Sequence, residues 1–192
     1  MTDSFHPAVF SALTIVRTTP EFTPNSVIRS FSLFTVTREG ADGARFSLMH
    51  ESFDVKALRA DIIAQIIDGI PRDGTMLFET PQLPINYFDD FLGKGIEPPP
   101  ADVQLIQRER KKLEMMPIQV EEDRLVVTAR SMGFQLPHPA GLTFDLAQKA
   151  PMRSQALWLA YLRQFCSERE HVDLFAAWNA WHAIKEARPI RF

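Results

Sequence analysis

The sequence carries a single cysteine, Cys166, among 192 residues. That excludes an internal disulfide and any zinc site built on paired thiolates, and it suits a reducing compartment. No apolar run approaches the roughly eighteen residues that a membrane-spanning helix needs. The first residues, MTDSFHPAVF, show no basic segment leading into an apolar one. A cytoplasmic protein without a membrane partner is therefore expected. Charge of either sign is not in excess: 21 Lys and Arg against 24 Asp and Glu give a formal net charge of -3. Such a chain has no global field to draw in nucleic acid, so any such binding depends on a local basic patch. A glycine-rich phosphate loop, a Gly-x-Ser-x-Gly elbow, a Cys-His constellation, repeats and low-complexity tracts are also lacking.

What is present is an ordinary globular composition, 45% hydrophobic and 23% charged, with a mean hydropathy of -0.12. The length allows a core without staples, and one domain spanning 1–192 is expected. VFSALTIV, VIRSFSLFTVT and RFSLMHESF read as three strands in a meander, with hairpin chemistry at Asp42-Gly43. DVKALRADIIAQIIDGIP reads as a helix, with Asp54 as N-cap and Gly69 and Pro71 ending it. GTMLFET is a short strand, PINYFDDFLG a turn into helix, and KGIEPPPAD a loop opening the charged helix ADVQLIQRERKKLEMM. QVEEDRLVVTAR is expected to be another strand or a hairpin. LTFDLAQKA, SQALWLAYLRQFCSE capped by Ser154, and EHVDLFAAWNAWHAIKEA read as three further helices. Strands first, then mainly helices, predict an α/β or α+β domain with a mixed sheet.

Four phrases in that order carry more. IVRTTP ends the first strand, YFDDFL follows the strand TMLFET, LTFDLAQKAP precedes a leucine-bearing helix, and HVDLFAAW opens the last helix. Together they resemble the DnaQ-like 3'-5' exonucleases of the DEDD group, in its histidine-bearing branch, which have a ribonuclease H-like fold. The resemblance implies an α/β domain whose mixed sheet has three antiparallel strands and then parallel ones, flanked by helices. It places Ile15 and Arg17 where the family has its two first-strand acids. It makes Asp89 or Asp90 the match to the second motif. It makes His171 the family's histidine, with Ala176 where an acid would follow.

Two-metal phosphodiester hydrolysis needs several carboxylates converging on a pair of divalent cations. With Ile15, Arg17 and Ala176 in acid positions, the expected protein is a degenerate exonuclease-like one. It binds nucleic acid or a protein partner, a second copy included, without hydrolysis and without a cofactor. Asp89, Asp90 and His171 are then vestigial catalytic candidates, and Arg17 is a binding residue able to hold a phosphate. The competing reading is an active exonuclease using Mg or Mn. Its ligands would be relocated among Glu79, Asp89, Asp90 and Asp145, and Glu79 is favoured because it ends a strand. A third reading is a small α/β protein unrelated to nucleases.

Each residue also has a plain reading: His171 as a helix-face side chain beside Phe175, Asp89 and Asp90 as helix-starting acids, Arg17 as a solvent-facing strand end. QRERKKLE is expected to be a solvated helix face. Trp158, Trp178 and Trp181 are expected to serve packing more than base stacking. His182 and Glu186, a turn apart, have no third partner for a metal.

Overall fold

The computed structural model describes residues 9–17, 27–39, 43–54, 56–81, 101–120, 122–133 and 143–186. Strands β1 (Val9–Arg17), β2 (Ile28–Glu39) and β3 (Gly43–Ser52) form the antiparallel meander. Helix α1 (Arg59–Gly69) then carries the chain to β4 (Gly74–Pro81), which lies parallel to β1. Helix α2 (Ala101–Glu109) leads to β5 (Leu113–Val120), parallel to β4. Helices α3 (Glu122–Ser131), α4 (Thr143–Phe165) and α5 (Glu168–Glu186) follow. The sheet order β3-β2-β1-β4-β5, with its antiparallel first half and parallel second half flanked by helices, is the ribonuclease H-like arrangement.

Alternation along the central strands decides which helix covers which face. Phe10, Ala12, Phe34 and Leu77 pack with Leu157, Trp158 and Tyr161 of α4. Trp158 also meets Phe34 and Phe46 at ring-centroid distances of 5.6 Å. On the opposite face Leu13, Phe31, Met76 and Phe78 pack with Ile62 and Ile66 of α1 and with Val103 and Ile106 of α2. Both faces of β1 are therefore covered, as suits an almost uninterrupted apolar strand.

Several boundaries differ from those expected. Helix α1 begins at Arg59, not after Asp54. The Asp54 carboxylate instead accepts from the Lys56 backbone N–H at 3.2 Å, a local turn that competes with helix. Helix α2 stops at Glu109, and LEMMPIQV, half of it expected to be helical, forms β5 by pairing along the whole of β4. Pro117 is tolerated there because β5 is an edge strand, where a missing N–H breaks no pairing on the open side. The segment after it, expected to be a strand or hairpin, is instead helix α3.

The two helices expected around Pro151 are one, α4, running through the proline. Ser154 is therefore no N-cap. It is fully buried in mid-helix, where its hydroxyl donates to the Pro151 carbonyl at 3.1 Å. With its proton so used, it accepts from the Ser32 hydroxyl of β2 at 2.9 Å. The Gln155 side-chain amide also donates to Pro151, at 3.0 Å, while its carbonyl accepts from the Trp178 indole at 3.1 Å. These bonds tie α4 to the sheet and to α5 where the proline has removed a helical donor.

Candidate functional site

In parallel α/β sheets, sites form beyond the C-terminal ends of the strands. Here the parallel strands are β1, β4 and β5. The β1–β4 register pairs Ala12 with Leu77 and Leu13 with Phe78. Continuing it by one residue sets Thr14 beside Glu79. Thr14 is also opposite Ser32 of β2, and Ser32 is opposite His50 of β3. The strands thus lay His50, Ser32, Thr14 and Glu79 in one row across the face that α4 covers, a polar band between the apolar core and the strand ends.

Helix α4 closes over this band. Ser154 bonds Ser32, Ala150 packs on Val16, and Arg153 reaches Glu79. The Arg153 Nη2 donates to both Glu79 carboxylate oxygens, at 2.6 and 2.9 Å. The two side chains are 26% and 30% exposed, so the pair sits at the mouth of the band, half-screened from water. Charge-assisted bonds of this length are strong ones. At the inner end, the Thr14 hydroxyl is buried and has no hydrogen-bond partner among the described residues. A buried hydroxyl in that state costs about 1–3 kcal/mol. At the β3 end, His50 Nδ1 bonds the Phe31 carbonyl at 3.0 Å, which makes that nitrogen the donor and leaves Nε2 to accept from the Ser52 hydroxyl at 3.5 Å.

The expected site residues fall in different places. Ile15 packs into the apolar cluster under α1, on the face opposite Glu79. Arg17 ends β1, opposite Ile28, just after a register shift between Val16 and Arg17. More telling than any one position, β1 reads VFSALTIVR and contains no carboxylate on either face. Glu79 ends up where the strand-end argument put it, but with a guanidinium against it. Asp89 and Asp90 lie outside the described residues, and Asp145 is on α4.

His171 is not brought to Glu79. Its neighbour Glu170 accepts from Arg38 at 3.0 Å, and Arg38 lies at the end of β2 next to the beginning of β1. Thr14, five residues along β1 from Val9, is roughly 17 Å from that end at about 3.3 Å per residue. His171 sits half-buried beside Phe175, with ring centroids 6.1 Å apart, and Ala176 is exposed. Among the described residues no three His, Cys, Asp or Glu side chains come together to hold a metal ion.

Arg153 and Thr14 were missed by sequence reasoning. Thr14 reads as one more β-branched residue in an apolar strand. Arg153 follows Pro151, and only a helix continuous through that proline carries it to β4. A second cluster was also missed, at the other end of the sheet. Ser167 and Glu170 form a capping box that starts α5, the Glu170 carboxylate accepting from the Ser167 N–H at 3.2 Å, and the sequence SERE was its visible sign.

Beside that cap, burial and then the Glu170 charge push the Cys166 thiol up to about 11, with Arg38 opposing. Burial likewise raises Tyr161 above the ordinary phenol range, with Cys166 adding to it. A thiol raised in the folded state stays protonated where the unfolded chain ionises. The stability this gives is whole below pH 9 and is lost as pH rises toward 11. Cys166 should therefore react with iodoacetamide far more slowly at pH 8 than the same thiol in urea. The folded-state rate should climb about tenfold per pH unit up to that value, as followed by mass spectrometry.

No known protein family, curated protein or solved structure matches this chain. The sheet topology alone defines the class, a ribonuclease H-like α/β fold.

Proposed function

We propose that this chain is a single-domain, cytoplasmic, DnaQ-like protein that has kept the exonuclease scaffold and lost hydrolysis, and that it binds single-stranded nucleic acid. The observation that carries the reading is the end of the β1–β4 pair. The central strand has no carboxylate, and Glu79, at the end of the neighbouring strand, holds Arg153. Divalent cations need several oxygen ligands converging on one point. A guanidinium already against that carboxylate repels a cation and attracts a phosphate. Arg17, at the end of β1, is proposed to add positive charge at the same end of the sheet. His171 is proposed to be a packing residue of α5. Asp89 and Asp90 are proposed remnants of the second motif, with no metal to hold.

The test is degradation of 5'-labelled single-stranded DNA and RNA with Mg2+ or Mn2+. Intact substrate after long incubation is expected. Metal-dependent trimming from the 3' end that disappears in Asp90→Ala would establish the active exonuclease instead, with carboxylates drawn from Glu79, Asp89, Asp90 and Asp145.

A further inference from the structure

The two outer strands end the sheet differently. β5 carries Pro117, a residue that blunts an edge, while β3 has no proline and keeps one unbroken register against β2 along its whole length. Among the described residues no strand pairs with the far side of β3. Ser47, His50, Glu51 and Ser52 are exposed there. The Phe53 N–H donates at 2.8 Å to the Arg29 carbonyl, its direct opposite in that register, so the odd-numbered residues of β3 direct their backbone groups to β2. The even-numbered ones, Ala44, Phe46, Leu48, His50 and Ser52, turn their N–H and C=O groups to the open side. A row of this kind is a template for another strand.

From this edge we infer that the chain forms a homodimer in which β3 pairs antiparallel with β3 of a second copy, about a two-fold axis through Leu48. The inference is independent of the nucleic-acid reading. Charge selects both the occupant and the register. About that axis Ala44 meets the partner's Ser52 and Phe46 meets the partner's His50, all of them residues whose backbone groups face outward. At the intervening positions, where the narrower spacing brings side chains together, Arg45 meets the partner's Glu51, and Glu51 meets the partner's Arg45. Both residues are exposed, and alternation puts them on the α1 face of β3 with Met49. Glu51 has no ion-pair partner among the described residues. Arg45 contacts Glu39 at 2.5 Å in a pair 74% and 48% exposed, which leaves its guanidinium open to a second carboxylate. Sliding the partner by two residues either way sets Arg45 against Met49 or Phe53 and unpairs both charges. The strand is thus its own complement in one register. The contact lies two strands from β1, so the end of the β1–β4 pair is no part of it.

The experiment is sedimentation equilibrium of the chain from about 1 μM to 1 mM, with the melting temperature of each variant measured alongside to show that it folds. The parent chain should show a reversible monomer–dimer equilibrium. Arg45→Glu alone and Glu51→Arg alone each set like charges opposite one another at two places, and each should raise the dimer dissociation constant about tenfold or more. An equimolar mixture of the two variants should dimerise as tightly as the parent chain, since each copy then supplies the charge that the other lacks. Raising the salt concentration should narrow all these differences. A role for either residue in the fold of its own chain gives no such rescue between separate chains. A parent chain that stays monomeric throughout overturns the proposal. So does a dimer indifferent to both substitutions, which would form through another surface, and so does a mixture that dimerises no more tightly than its components.

Discussion

Gly74→Ala is expected to destabilise the protein by about 3 kcal/mol or more, combining backbone strain with a collision that nothing nearby relieves. Gly74 opens β4 with φ at +104°, a conformation L side chains rarely adopt. A Cβ there would stand 2.5 Å from the Val9 carbonyl oxygen and 3.0 Å from the Val9 Cβ. The obstacle is largely backbone, and it belongs to the strand with which β4 pairs, Phe10 facing Thr75 in the next position. Relief requires separating β1 from β4, the junction on which the candidate site is built. Gly133→Ala is the control. Its φ is +80°, but nothing lies within 4 Å of the added atom. It should cost about 1 kcal/mol, the conformational part alone. Urea denaturation of the two variants separates strain from contact. Equal losses would mean that the β1–β4 junction is looser than described.

Trp158→Ala is expected to cost about 3–5 kcal/mol, the range for deleting a large buried aromatic. Trp158 is 1% exposed, and it wedges α4 against two strands by edge-on contacts with Phe34 and Phe46. Its neighbours cannot refill the space, because Trp181 already lies 5.6 Å from Phe34 and 5.7 Å from Phe46. Trp158→Phe keeps most of the contact and should cost less than half as much. A loss under about 1 kcal/mol for the alanine variant would show that α4 does not hold this face of the sheet. It would also remove the ground for placing Arg153 over Glu79.

The strands were legible because their pattern is local. The apolar run of β1 and the rough alternation of β2 report burial directly, and a meander needs only short turns to join them. Helix ends were less legible because tertiary contacts set them. Pairing with β4 drew Leu113–Met116 out of the helix its charges suggested, and packing of Leu157, Trp158 and Tyr161 on the sheet holds α4 together through a residue that reads as a stop.

The site divides in the same way. Glu79 could be found because it ends a strand beside the central one. Arg153 could not, since its meeting with Glu79 spans 74 residues and depends on a helix that its own sequence argues against. His171 shows the converse. Its spacing to Ala176 matches a family phrase, but spacing within a helix does not say which end of the sheet that helix approaches. The Arg38–Glu170 pair, 132 residues apart in sequence, sets that.

At the end of the β1–β4 pair, Arg153 is proposed to stand where a nuclease of this fold holds metal. Electron paramagnetic resonance of Mn2+ titrated into the protein tests it most directly, because bound Mn2+ loses its sharp six-line signal. The full free-ion signal is expected to persist at millimolar protein. A stoichiometric loss of signal, abolished by Glu79→Gln, would contradict it.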